Sequence, residues 1–181
     1  QDKKVRRLRG FRNGEGRNDM KIGIYPGSFD PFTVGHMDVL QNAYALFDRV
    51  YVGVLRNSAK SATFSADERV SMIRRAVENA DMPHVIVEQF GGLLVDYAKQ
   101  IGAHYIIRGL RAITDFEYEF QIDAINRHLE PNVQTVYFMA KPSLSFLSSS
   151  TVKEIGAYGG NIAGLVPDCN MNIIAERLRQ A

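Results

Sequence analysis

Residues 22–36 constrain this chain more than any other stretch. Ile22-Gly23-Ile24-Tyr25 is a short apolar run of the kind that forms a buried strand. Met37, Leu40, Ala43, Tyr44 and Phe47 then recur at helical spacing. Between the two lies Pro26-Gly27-Ser28-Phe29-Asp30-Pro31-Phe32-Thr33-Val34-Gly35-His36. The chain must leave a strand, bend through a loop rich in Gly and Pro, and enter a helix near Gly35-His36. The first N–H groups of a helix have no partner inside it, so together with the helix dipole they favour an anion there. A lone histidine at such a turn is an ordinary surface residue; the length of the pattern around His36 is what gives it chemical weight.

The remaining sequence repeats the alternation. Strands are expected at 50–55, 84–87, 104–107 and 133–138, separated by helical patterns. Ser65-Ala66-Asp67-Glu68 and Thr114-Asp115-Phe116-Glu117 read as capping boxes that open two of the helices. Ser148 caps a short helix, and Pro167-Asp168 opens a terminal amphipathic one through Ile173, Ile174 and Leu178. Five strands spaced by helices predict an α/β fold, a Rossmann-like doubly wound parallel sheet of order 3-2-1-4-5 with a C-terminal helical segment.

In such a sheet the loops after each strand gather at the carboxyl edge, where ligands bind. Here those loops are residues 27–36, 56–60, 90–94, 108–111 and 145–150. Arg108 and Arg111 offer planar forks suited to phosphate oxygens; singly, each reads equally well as a surface arginine paired with Asp115 or Glu117. Ser148-Ser149-Ser150-Thr151 places hydroxyls and N–H groups at a helix start, a second seat for an anion. Lys60 lies in a polar loop after the second strand.

Composition narrows the rest. The chain has 181 residues, 45% hydrophobic and 23% charged, the profile of a globular domain. Its single cysteine, Cys169, cannot form an internal disulfide, and the four histidines lie on separate elements without zinc spacing. Residues 1–19 carry a net charge of +4, leaving −2 for residues 20–181, which is not the balance of a nucleic-acid-binding domain. The expectation is a disordered basic extension or expression remnant over 1–19, and one domain over 20–181 opening at Met20. Arg6-Arg7 precedes no apolar run, and no stretch has the length of a membrane span. Neither G-x-G-x-x-G nor a Walker-type phosphate loop is present.

Thr33-Val34-Gly35-His36 together with Ser148-Ser149-Ser150 resembles the paired signatures of the nucleotidyltransferase superfamily. Arg108-Gly109-Leu110-Arg111 and Asp115-Phe116-Glu117-Tyr118-Glu119 look most like the phosphopantetheine adenylyltransferase family. That resemblance implies transfer of the adenylyl group of ATP to 4′-phosphopantetheine, giving dephospho-coenzyme A and pyrophosphate. It implies that His36 is the transition-state donor. Ser28, Phe29, His36, Gly109, Leu110, Arg111, Glu119, Leu144, Ser145, Phe146, Leu147, Ser148, Ser149 and Ser150 would bind ATP. Ser28, Lys60, Leu94 and Arg108 would hold the acceptor. It further implies Mg²⁺ carried with ATP, a cytoplasmic homohexamer, and neither nucleic-acid nor membrane partners. Ser28 stands where many members have Thr, and Ala157 where some have an arginine near the triphosphate. The alternatives are another small-molecule nucleotidyltransferase of the same superfamily or, from another class, a nucleotide- or RNA-binding module without chemistry.

Overall fold

The computed structural model describes residues 20–56 and 62–180. The expectations for residues 1–19 and for Lys60 fall outside the described residues. In chain order the elements are β1 Ile22–Gly27, α1 Val34–Tyr44, β2 Arg49–Leu55, α2 Ala66–Asn79, β3 Val85–Phe90 and α3 Leu94–Ile101. They continue with β4 Tyr105–Leu110, α4 Ile113–Leu129, β5 Gln134–Met139, α5 Ser149–Ala157 and α6 Asp168–Arg179. The five strands form one sheet of order β3-β2-β1-β4-β5, parallel at every pairing, as the alternation predicts.

Strand alternation sorts the side chains onto two faces. Tyr25, Val50, Val52, Val54 and Ile107 pack with Val39, Leu40 and Ala43 of α1 and Val70, Ile73, Ala76 and Val77 of α2. Ile24 and Ile106, one residue out of phase, pack with Tyr97 and Ala98 of α3 on the other face. A separate apolar cluster, with Phe64, Leu147, Val152, Ile162, Ile174 and Leu178, joins the α5–α6 segment to the start of α2. The C-terminal helices are thus seated beside the carboxyl edge of the sheet.

Three local expectations need correction. β4 does not stop at Ile107; it continues through Arg108, Gly109 and Leu110, which pair with Tyr137, Phe138 and Met139 of β5. Arg108 therefore projects from a strand paired with β5 at that position rather than from a loop. Likewise β3 runs on to Phe90, because Val54 and Leu55 continue to pair with Gln89 and Phe90. The second capping box does not form: α4 begins at Ile113 after Ala112, with no side-chain cap. The Asp115 carboxylate turns back instead, accepting from the main-chain N–H of Arg111 at 3.1 Å. The first capping box forms as expected, with Ser65 and Glu68 each bonding the other's main-chain N–H.

One glycine in the sheet fixes how closely α1 can lie. A Cβ on Gly109 would come within 2.7 Å of Val39 Cγ2, so only glycine lets α1 pack directly on β4.

Candidate active site

A cleft of about 470 Å³ opens at the carboxyl edge, between the β1–α1 loop, β4, and the start of α5. Its histidine is placed by the helix start itself. Thr33 is the N-cap of α1, its Oγ1 accepting from His36 N at 3.3 Å. In return, Nδ1 of His36 accepts from the Thr33 main-chain N–H at 3.0 Å. This is a capping box with histidine in the place Glu or Gln usually takes. Because Nδ1 is the acceptor, the ring proton of the neutral imidazole belongs on Nε2. Phe32 stacks on the ring at 5.5 Å between centroids and Phe29 meets it edge-on at 5.2 Å. Burial, with a smaller push from the Arg111 charge, lowers the His36 pKa from 6.5 to about 4. His36 is therefore a neutral, oriented N–H donor across the physiological range.

Phe29 reaches this position with a left-handed backbone (φ 50°), and its ring lies over Gly27. The next residue, Asp30, accepts main-chain N–H groups from Thr63 at 3.0 Å and Phe64 at 2.9 Å, and an ion pair from Lys153 at 3.2 Å. One carboxylate thus ties the β1–α1 loop to the segment entering α2 and to α5.

The cations follow different elements. Arg108 projects from β4, its Nε 3.2 Å from Glu119 of α4, and Nη1 reaches Pro26 O at 3.5 Å. Arg111, just past β4, pairs with Asp115 at 3.1 Å and donates to Leu147 O at 3.2 Å. Burial raises the Asp115 pKa, but the hydrogen bonds and charge of Arg111 outweigh it and hold that carboxyl below the usual range. The surface-pair reading holds for Arg111, which takes Asp115, but Arg108 takes Glu119 rather than Asp115 or Glu117, and both arginines line the cleft. On the opposite wall Ser148 caps α5, accepting from Thr151 N at 3.0 Å, and Ser149 Oγ donates to Pro31 O at 2.8 Å. Two helix N-termini, those of α1 and α5, therefore converge on one space.

Of the residues expected at a site, Ser28, Phe29, His36, Arg108, Gly109, Arg111, Glu119, Leu144, Leu147, Ser148, Ser149 and Ser150 line this cleft. Leu94, Leu110, Ser145 and Phe146 do not. Leu94 packs beside the Phe90–Tyr97 cluster, and Leu110 is buried in the sheet. Ser145 Oγ bonds Pro142 O, and Phe146 points outward, 61% exposed. The cleft also contains Asp30, Arg69 and Lys153, which sequence reasoning did not single out.

A parallel sheet with two helix starts facing four cleft cations is the architecture of a nucleotidyltransferase, and the cytidylyltransferase-like family matches residues 24–155. A protein from Vibrio parahaemolyticus assigned as a nicotinate-nucleotide adenylyltransferase shares this fold. It is 14% identical, with a TM-score of 0.63 over 87% of this chain and 96% of its own. Two curated relatives are far more similar. The phosphopantetheine adenylyltransferase of Lachnoclostridium phytofermentans is 49% identical over 87% of this chain and 96% of its own length. That of Caldanaerobacter subterraneus is 47% identical over 89% and 97%. The chain belongs to the phosphopantetheine adenylyltransferase family.

Proposed function

We propose that this protein transfers the adenylyl group of ATP to 4′-phosphopantetheine, releasing pyrophosphate and forming dephospho-coenzyme A. Near 50% identity to phosphopantetheine adenylyltransferases over most of the chain supports the activity. The observation that carries the mechanism is His36, a neutral Nε2–H donor fixed at the start of α1.

An oxygen of the acceptor phosphate attacks the α-phosphorus of ATP. The new P–O bond forms as the bond to the β-phosphate bridging oxygen breaks, and pyrophosphate leaves with that electron pair. The attacking phosphate is already anionic at neutral pH, so no general base is needed. Instead, the protein must align two mutually repelling phosphates and stabilise the charge that builds on the five-coordinate α-phosphate. His36 donates to those oxygens. Arg111 and the α5 N-terminus with Ser148, Ser149 and Ser150 hold the triphosphate, while Ser28, Lys60 and Arg108 hold the acceptor. Gly109, which lines the cleft beneath α1, borders the nucleotide, and Glu119 orients Arg108 between the two substrates.

Mg²⁺ enters as part of the nucleotide substrate. The two cleft carboxylates are already engaged, Asp30 by two N–H groups and Lys153, and Glu119 by Arg108. That leaves the phosphates as the metal's main ligands. The enzyme works in the cytoplasm as a homohexamer. Self-association is supported by α4, which exposes Phe116, Tyr118, Phe120, Ile125 and Leu129. Among the described residues no helix is long and apolar enough to cross a membrane.

The test is pyrophosphate release from MgATP with and without 4′-phosphopantetheine, with light scattering for the assembly. Release that depends on the acceptor supports the reading. ATP binding without acceptor-dependent release would leave a nucleotide-binding module in its place.

A further inference from the structure

Among the cations that line the cleft, Arg69 has a different electrostatic situation from the rest. Arg108, Arg111 and Lys153 each face a carboxylate at 3.1–3.2 Å: Glu119, Asp115 and Asp30. Arg69 is more deeply buried, 5% exposed, and among the described residues it makes no ion pair. Buried guanidinium groups are normally paired, because leaving water without a counter-charge is costly.

What Arg69 has instead is a fan of carbonyls on one edge. Nε donates to Phe64 O at 3.0 Å and Ser65 O at 3.3 Å. Nη1 donates to Ser28 O at 2.5 Å and Leu55 O at 3.2 Å. These carbonyls neutralise no charge, and they use only one side of the fork. Nη2 makes no hydrogen bond among the described residues, yet it is not among the buried side-chain atoms left without a partner, which are Asp38 Oδ2 and Asp123 Oδ1. Arg69 itself lines the cleft, and Nη2 is the edge of its fork that the carbonyls leave unused.

The position of the fan selects the anion. Ser28 belongs to the β1–α1 loop, Leu55 ends β2, and Phe64 and Ser65 lead into α2. Ser28 is assigned above to the acceptor, and Leu55 ends the strand whose following segment carries Lys60, a second acceptor residue, whereas Arg111 donates to Leu147 ahead of α5. We propose that Arg69 binds the phosphate of the acceptor through its Nη2 edge. Its Nε and Nη1 edge holds Ser28 and the end of β2 in register with that phosphate. The substrate dianion supplies the counter-charge that the protein withholds. This rests on the reading of 4′-phosphopantetheine as acceptor.

Arg69→Lys keeps a charge but not the fork, and Arg69→Met keeps the stem alone. Both should raise the KM for phosphopantetheine by on the order of 10- to 100-fold, with Met the worse, and change the KM for ATP less than about threefold. Both also lose carbonyl contacts, so thermal shifts separate binding from folding. Phosphopantetheine should raise the Tm of the wild type but not of Arg69→Met, while ATP should raise both. A second measurement needs no variant that folds. In the wild-type protein, the ¹⁵N-edited guanidinium signal of Arg69 should move on adding phosphopantetheine and stay put with pantetheine, which lacks the phosphate. A lower Tm with both KM values unchanged, an equal rise in both, or an Arg69 signal unmoved at saturating phosphopantetheine would overturn the assignment. Failure of the wild type itself to use phosphopantetheine would instead overturn the activity.

Discussion

His36 Nδ1 accepts the main-chain N–H of Thr33 at 3.0 Å, while Thr33 Oγ1 accepts the main-chain N–H of His36 at 3.3 Å. One pair of residues thus begins the helix and sets the tautomer of the imidazole. Its consequence for turnover is specific. If Nε2–H serves oxygens that gain charge in the transition state, His36→Ala should lower kcat by ~10²–10³ while ATP affinity barely changes. His36→Asn, which keeps a neutral donor, should recover part of the loss. Turnover assays beside calorimetry of ATP binding check this. Loss of ATP binding with kcat intact would make His36 a ground-state contact.

The same burial predicts a pH dependence. His36 has a folded pKa of about 4 against 6.5 in an unfolded chain. Its neutral form is present in the native protein above the folded value, so kcat should show no His36 limb near pH 6.5. Stability behaves differently. Below pH 6.5 the unfolded chain takes up a proton that the native state refuses, so stability is full above 6.5 and is lost as pH falls toward 4. The slope from this group is up to about 1.4 kcal/mol per pH unit. Denaturation of wild type and His36→Asn at pH 7, 5.5 and 4.5 should give curves that converge on acidification. Parallel curves would show that His36 keeps its ordinary pKa.

The fold was legible because its signals are local: apolar runs, Gly-Pro loops and two caps that formed where expected, at Ser65 and Ser148. The failures share one cause. Arg108 and Gly109 are poor strand formers by composition, and β4 includes them only because Tyr137 and Phe138 pair alongside. Asp30 and Lys153 meet across 123 positions of sequence, beyond any periodicity. Arg69 did leave a trace. It falls on the same helical face as Met72, Ile73 and Ala76, where a charge is anomalous unless something distant needs it.

Gly27 tests how tightly the loop is built. A Cβ there would come within 2.8–3.1 Å of three Phe29 ring atoms, and that ring in turn meets Tyr25, Phe32 and His36. Gly27→Ala should destabilise the protein by about 1–3 kcal/mol, the usual cost of overpacking. Because the displaced ring flanks His36, kcat should fall at temperatures where the protein is fully folded. Calorimetric Tm beside kcat at 20 °C tests both; a lower Tm with full activity would uncouple Phe29 from the imidazole.

Arg108 and Glu119 must be tested together, since their ion pair at 3.2 Å makes a single substitution ambiguous. If Arg108 grips the acceptor phosphate, Arg108→Ala should raise the KM for phosphopantetheine by on the order of 10- to 100-fold. It also strips Glu119 of its partner and leaves an uncompensated carboxylate facing two polyanions. That repulsion reaches ATP as well, so the single variant should show a smaller rise in the ATP KM. Glu119→Gln in the same background removes the stray charge and should restore the ATP value while leaving the acceptor defect in place. Glu119→Gln alone should weaken ATP modestly if its carboxylate touches the nucleotide. Recovery of both substrates in the double variant would mean that Arg108 serves only to neutralise Glu119, and its assignment to the acceptor would fall.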